Sequence, residues 1–209
     1  PSTRELVSHI AKRFPKTPLV MGGEHPSALP ELVLKTSDVN IVVKGEGEET
    51  FVDLLDALSA QRGTDGIPGI LSKQNGHKPF QPRQRIKEVD TLPWPAWEFF
   101  PVEKYIEYNQ PHGAARGRSM PMLATRGCPY QCTFCSSPQM WTTLWYARNP
   151  HQGADEMEKY IRDYRANDFH FQDLTAIIKK EWVIDFSKVL IERGLHVTWQ
   201  LPSGTISEA

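Results

Sequence analysis

Three short apolar runs in this chain each break off at glycine. Pro18–Met21 (PLVM) runs into Gly22-Gly23. Asn40–Val43 (NIVV) passes Lys44 into Gly45-Glu46-Gly47-Glu48. Met120–Thr125 (MPMLAT) meets Arg126-Gly127. Runs this short, bounded by turn residues, have the length of buried strands. The stretches between and after them have helical spacing. Ala28–Lys35 puts Leu29, Leu32 and Val33 on one side, and Thr50–Ala60 carries Phe51, Leu54, Leu55 and Leu58. Asp155–Arg165 presents Met157, Ile161 and Tyr164. Glu181–Glu192 turns Trp182, Phe186, Val189 and Leu190 inward and stops at Gly194. Asp168–Leu174 alternates, with Phe169 and Phe171 on one side, and Leu195–Leu201 is a further strand. This alternation predicts an α/β fold. The βαβαβ run after residue 120 predicts parallel strands joined by right-handed crossovers.

Residues 63–119 interrupt the pattern. Asn75-Gly76 between ILSK and HKPF is a hairpin signal. The proline-punctuated run TLPWPAWEFFP predicts an ordered linker, with Trp94, Trp97, Phe99 and Phe100 packing between domains rather than binding ligand. The expected division is 1–62, 63–119 and 120–209.

At 209 residues, 39% of them hydrophobic, the chain can bury a sizeable core. Its net charge is -1 and no basic run stands out, which gives no footprint for nucleic acid or an anionic membrane. No apolar run is long enough to span a bilayer and no secretory signal is present, so a cytoplasmic protein is expected. The chain starts at Pro1 and ends in SGTISEA, apparently entering a helix. A piece of a longer protein is expected.

All three cysteines fall within TRGCPYQCTFCSSP, at Cys128, Cys132 and Cys135. They are odd in number and too close for a disulfide framework, which points to a reducing compartment and a metal or catalytic role. A tetrahedral zinc site usually shows two separated pairs. Here there is no second pair, and His112 and His151 sit at no usual zinc-finger offset. A complete [4Fe–4S] set takes four thiolates. With three, one iron is left to bind something else. Inert buried thiols are the remaining reading, and the crowding of three in one Gly/Pro-flanked loop speaks against it.

CPYQCTFC, after a strand and an Arg-Gly turn, resembles the signature of radical S-adenosylmethionine (radical SAM) enzymes. The resemblance implies that Cys128, Cys132 and Cys135 hold a [4Fe–4S] cluster whose open iron chelates the amino and carboxylate groups of S-adenosylmethionine. Electron transfer, from a donor such as flavodoxin or ferredoxin, then cleaves the sulfonium to a 5′-deoxyadenosyl radical that attacks a small-molecule substrate. It implies a partial (β/α)6 barrel, with the chemistry at the C-terminal ends of the strands. Phe134 matches the position near the adenine, Gln172 and Asp173 that of the methionyl ammonium, and Ser203 that of the ribose or carboxylate. An acidic group beside an ammonium has an electrostatic reason. Read without the family, Phe134 is a core aromatic, Asp173 a helix cap and Ser203-Gly204 a turn. GTIS carries Ile206 where the family leads one to expect arginine.

Upstream, VMGGEHPSALPE and VVKGEGEETF resemble the second half of a cobalamin-binding domain of the kind joined to such barrels. This implies that Gly22, Gly23, Gly45, Glu46 and Gly47 face the corrinoid. Glycine at a strand end lets backbone approach a ligand, and Glu46 and Glu48 offer acceptors for its hydroxyls. The same residues also read as tight turns, with glutamates suited to a helix start. The fuller pattern places a DxHxxG and an SxL segment N-terminal to the double glycine, and neither is present there in this sequence. His25 reads as lining a loop, and Arg148 as a candidate contact for an anionic group. Three functions follow. One is a cobalamin-dependent radical SAM enzyme, methylating, cyclising or rearranging at an unactivated carbon. The others are a radical SAM enzyme without cobalamin, and a zinc or iron–sulfur binding module without catalysis.

Overall fold

The computed structural model describes residues 2–74, 79–175 and 178–203. Its elements in chain order are α1 (Thr3–Arg13), β1 (Val20–Met21), α2 (Glu24–Ala28), α3 (Pro30–Thr36), β2 (Ile41–Val43), α4 (Glu48–Ser59) and β3 (Ile70–Ser72). There follow α5 (Val102–Glu107), β4 (Ser119–Met122), β5 (Thr125–Arg126), α6 (Ser137–Trp141), β6 (Tyr146–Ala147), α7 (Pro150–Tyr164), β7 (Asp168–Phe171), α8 (Lys180–Glu192) and β8 (Thr198–Gln200). They form two compact units. The first is Pro1–Ile86 with Tyr130–Thr143, and the second Lys87–Pro129 with Leu144–Ala209.

In the first unit β1 and β2 are parallel, with Val20 opposite Ile41, and β3 runs antiparallel to β2 with Ile70 opposite Val43. The central strand β2 is buried along its whole length. Successive side chains of a strand point to opposite faces. Val42 therefore joins Val7, Val33 and Val39 on one side, while Ile41 and Val43 join Leu54 and Ile70 on the other. The helix expected over 28–35 is divided at Leu29, because Pro30 lacks an N–H and opens a new helix instead. Of its expected inward face only Val33 is buried; Leu29 and Leu32 are exposed. ILS, expected as one arm of a hairpin, is the edge strand β3 paired with β2. The Asn75-Gly76 turn lies outside the described residues.

The second unit holds the expected βαβαβ run. β4, β7 and β8 are all parallel, with Met120 opposite Phe169 and Phe169 opposite Trp199. Met120, Met122, Phe169 and Phe171 pack against Met157 and Tyr160 of α7 and Phe186 and Leu190 of α8. Trp182 stacks on Phe186 at 5.2 Å, and Phe171 meets Phe186 edge-on at 5.8 Å. Helix α7 begins five residues before the apolar period does, since the Asn149 side chain accepts from the His151 N–H and Pro150 takes the first position. Gly194, at φ 63°, closes α8 as its sequence predicts. The aromatic linker is corrected. Trp97 packs on the core of this unit and its indole N–H donates to the Tyr160 hydroxyl at 2.8 Å, whereas Phe99 and Phe100 are exposed.

MPMLAT yields two strands rather than one. β4 stops at Met122, and β5 pairs antiparallel with β6, Thr125 opposite Ala147. The cysteines therefore lie in the excursion between β5 and β6. Arg148, just past β6, is committed to the interior rather than to an external anion. It pairs with the buried Glu156 and with Asp90 at 3.4 Å and donates to the Leu123 carbonyl at 3.2 Å. Glu156 also accepts from the Tyr160 hydroxyl. Breaking a buried pair leaves an uncompensated charge. Glu156→Ala is expected to cost about 3–5 kcal/mol of unfolding free energy, measured by denaturant titration.

Candidate cluster and cofactor site

Gly127, at φ 90°, bends the chain out of β5 into the cysteine run. Cys128 is half-buried, Cys132 and Cys135 are exposed, and all three are free thiols. The Cys135 N–H donates to the Cys132 carbonyl at 3.0 Å, and the Ser137 N–H donates to the Cys135 sulfur at 3.4 Å. The division between units falls inside the run, with Cys128 in the second and Cys132 and Cys135 in the first. Among the described residues no three His, Cys, Asp or Glu side chains are gathered as a ready metal cage. The donor set nevertheless suits an iron–sulfur cluster: three accessible soft ligands on one loop, with a backbone donor to sulfur. Ligation and ordering of such ligands are coupled. As zinc ligands the histidines are poorly placed: His112 Nδ1 lies 3.1 Å from the Gln172 side-chain oxygen, and His151 begins α7. Phe134 is 92% exposed, which rules out the core reading.

The three parallel strands of the second unit each end in polar residues. After β4 comes the cysteine run, after β7 Gln172 and Asp173, and after β8 the exposed Ser203, whose partner Gly204 lies outside the described residues, as does Ile206. Asp173 is 2% exposed. It accepts from the Thr125 N–H and hydroxyl, both at 2.5 Å, and from the Ala124 N–H at 3.1 Å. Burial pushes its pKa up against the opposing pull of these bonds. It does not cap a helix, since α8 starts only at Lys180 with Lys179 as N-cap.

The other face of β7 carries a network that the aromatic reading of DFHFQDL missed. Its signal was the opposite phase of the same alternation: Asp168, His170 and Gln172. Asp168 accepts from the Ser119 and Thr198 hydroxyls, each at 2.7 Å, and from the Arg116 N–H at 3.2 Å, and lies 2.7 Å from His170 Nε2. Burial alone would raise its pKa, but the bonds from Thr198, Ser119 and His170 outweigh that and hold it at about 2. His170 Nδ1 reaches the His112 carbonyl at 2.5 Å, and the Gln200 amide clasps the Ala114 backbone. Beside this face is a cavity of about 480 Å³ lined by Trp97, Tyr105, Ile106, His112, His170 and Gln172, among others.

In the first unit the glycines stand at the strand ends. Gly23 and Gly45 have φ of 99° and 80°, and the Gly45 N–H donates to Ser27 Oγ at 2.9 Å. A Cβ on Gly22 would meet the Val43 carbonyl at 3.5 Å, and Gly47 is the N-cap of α4. Glu46 points inward: it is buried and accepts from Arg85 Nε at 2.9 Å and the Ile86 N–H at 2.8 Å. Its surroundings are those of a structural carboxylate. Glu48 sits in the first turn of α4. His25 lies in α2, exposed, rather than in a loop. Glu24 went unnoticed in the sequence. It accepts from Ser136 Oγ at 2.6 Å and from the Trp141 indole N–H at 3.1 Å, fastening α6 over the double-glycine loop.

Residues 1–55 match the family model of the B12 binding domain. Over 200 residues the chain is 34% identical to an uncharacterized methyltransferase of Pyrococcus horikoshii, covering 94% of this chain and 42% of that protein. It is 30% identical to the anaerobic magnesium-protoporphyrin IX monomethyl ester cyclase of Cereibacter sphaeroides, covering 86% and 29%. Among solved structures it superimposes on TsrM of Kitasatospora setae, a radical S-adenosylmethionine methyltransferase with cobalamin and a [4Fe–4S] cluster bound. The TM-score is 0.66 at 24% identity, over 91% of this chain and 36% of that one. It also superimposes on the cobalamin-dependent S-adenosylmethionine radical enzyme OxsB, with aqua-cobalamin and S-adenosylmethionine bound. There the TM-score is 0.73 at 20% identity, over 93% and 27%. The chain is thus similar at its start to B12 binding domains, and along most of its length to part of a methyltransferase, of a cyclase and of two cobalamin-bound S-adenosylmethionine enzymes. The structural likeness shows the fold, an α/β arrangement with parallel sheets. The chain spans less than half the length of each of these relatives.

The Asp168 network is expected to stabilise the second unit by about 2 kcal/mol, from a depression of roughly two pKa units. A lowered folded-state pKa gives stability that is present above the ordinary carboxylate value, about 4, and fades as pH falls toward about 2. Denaturant titrations of wild type and Asp168→Asn across pH 2–7 are expected to differ most above about pH 4, and to converge near pH 2.

Proposed function

We propose that the protein is a radical SAM enzyme in which Cys128, Cys132 and Cys135 hold a [4Fe–4S] cluster, working with cobalamin at an unactivated carbon of a small-molecule substrate. The observation that carries this reading is the C-x3-C-x2-C set of free thiols in the excursion between β5 and β6, just beyond the C-terminal end of β4, the first strand of the parallel sheet. Fold and sheet edge agree with the rule that chemistry gathers at that end of the strands. Bound there, the cluster would supply the electron that splits the S-adenosylmethionine sulfonium into methionine and a 5′-deoxyadenosyl radical.

The chain's own residues have defined tasks in this reading. The exposed Phe134 ring covers the adenine. Gln172 and Ser203, at neighbouring strand ends, take polar groups of the cofactor, and Gln172 also borders the cavity beside β7. Gly22, Gly23, Gly45 and Gly47 let backbone meet the corrinoid, while Glu46 supports their loop from within. Residues 1–62 make up the cobalamin-binding part, 63–119 the linker, and 120–209 the start of the barrel. Methyl transfer and ring formation are both named among the relatives, and at an unactivated carbon either would begin with hydrogen abstraction by the radical. The electron comes from a small donor such as flavodoxin or ferredoxin. No helix among the described residues is long and apolar enough to cross a membrane, in keeping with a cytoplasmic site of action.

The test is anaerobic reconstitution with iron and sulfide, then reduction in the presence of S-adenosylmethionine. Formation of 5′-deoxyadenosine is expected, and its loss in Cys132→Ala. Stoichiometric zinc with no cleavage would overturn the reading. Cleavage by protein that fails to retain cobalamin through gel filtration would remove the corrinoid from it.

A further inference from the structure

We propose that Asp173 is a positioning residue that fixes the entry of the cysteine loop, not the acceptor of the cofactor's ammonium. The proposal rests on the assignment of Cys128 as a cluster ligand.

The argument starts from the ladder between β4 and β7. Its last backbone bond runs from the Gln172 N–H to the Met122 carbonyl at 2.8 Å. Beyond it β4 departs from β7, and two of the donors that follow, the N–H groups of Ala124 and Thr125, no longer meet the backbone of that strand. Buried N–H groups must be satisfied. Asp173, one residue past Gln172, does this with its side chain. One carboxylate oxygen takes the Ala124 N–H, and the other takes both the N–H and the hydroxyl of Thr125. On the acceptor side Arg148 completes the set: its guanidinium donates to the Leu123 carbonyl and its N–H to the Ala124 carbonyl at 2.9 Å. The N–H groups of Ala124 and Thr125 and the carbonyls of Leu123 and Ala124 are thereby fixed. From Thr125 only Arg126 and Gly127 separate the anchor from Cys128.

The alternative task for Asp173 conflicts with this geometry. Three donors already occupy a carboxylate that has about four acceptor sites, and the residue is only 2% exposed. An ammonium reaching it would have to be buried beside these donors, at the cost of desolvating a charge. Gln172 has no such commitment of both its ends to one backbone segment, and it borders the cavity. Outer groups that orient metal ligands typically cost 10–100-fold in metal affinity when removed.

The experiment compares wild type, Asp173→Ala, Asp173→Asn and Thr125→Val as full chains after anaerobic reconstitution. Iron and acid-labile sulfide per folded chain are measured. The electron paramagnetic resonance spectrum of the reduced cluster is recorded with and without S-adenosylmethionine. Asp173→Ala is expected to weaken iron binding by about tenfold or more and to change the cofactor-free spectrum. Asp173→Asn and Thr125→Val should do so less. The cofactor concentration giving the half-maximal spectral change should match wild type in those clusters that form. A full iron load in Asp173→Ala overturns the proposal, whether the response to cofactor is lost or kept. Should Asp173→Ala fail to melt cooperatively, Thr125→Val decides, and iron binding equal to wild type would then overturn it. Wild type that binds no iron would instead defeat the cluster reading itself, a separate outcome.

Discussion

A central parallel strand must satisfy both of its faces and its end, and β7 meets all three demands in six residues. Phe169 and Phe171 turn to the helices and supply much of the apolar core. Asp168 and His170 turn the other way into a buried hydrogen-bonded network. Asp173 then leaves the strand and takes the backbone of the segment that carries the cysteines. Packing, polar satisfaction and the placement of the site depend on the same short run. A one-residue slip would put phenylalanine among the polar groups and a carboxylate into the core.

This arrangement gives the cysteine loop a firm start in a region otherwise free to vary. Cys128 follows a backbone held by Asp173 at the N–H groups of Ala124 and Thr125 and by Arg148 at the carbonyls of Leu123 and Ala124. The loop's later part is tied in the first unit by Glu24, through Ser136 and Trp141. Between these ties Cys132, Phe134 and Cys135 are exposed and Cys128 is half-buried. Rigid supports around an accessible ligand loop suit a centre that must admit a large cofactor.

Much of this was legible in the sequence because it rests on local rules. The apolar runs gave the strands, the 3.6-residue period gave α4, α7 and α8, and Gly194 gave a helix end. The cysteine spacing marks the candidate site. What escaped was set by partners distant in the chain. Nothing near Asp173 reveals that the N–H groups of Ala124 and Thr125, 49 and 48 residues away, will turn to its carboxylate, and nothing near Glu46 reveals Arg85, 39 residues away. Arg148 looked available because its partners Glu156 and Asp90 meet it only in the fold. The linker misled for the converse reason. Its aromatic composition promised burial for four rings, but only Trp97 found a place against the core, with Tyr160 accepting its N–H.

The central claim is that three cysteines serve a cluster with one iron left for the cofactor. Electron–nuclear double resonance on the reduced, reconstituted protein, with S-adenosylmethionine labelled with ¹⁵N at its amino group, tests this most directly. The account predicts a nitrogen coupling to the cluster that vanishes when unlabelled, amine-free analogue replaces the cofactor. A cluster signal with no coupling to the labelled amine would contradict it.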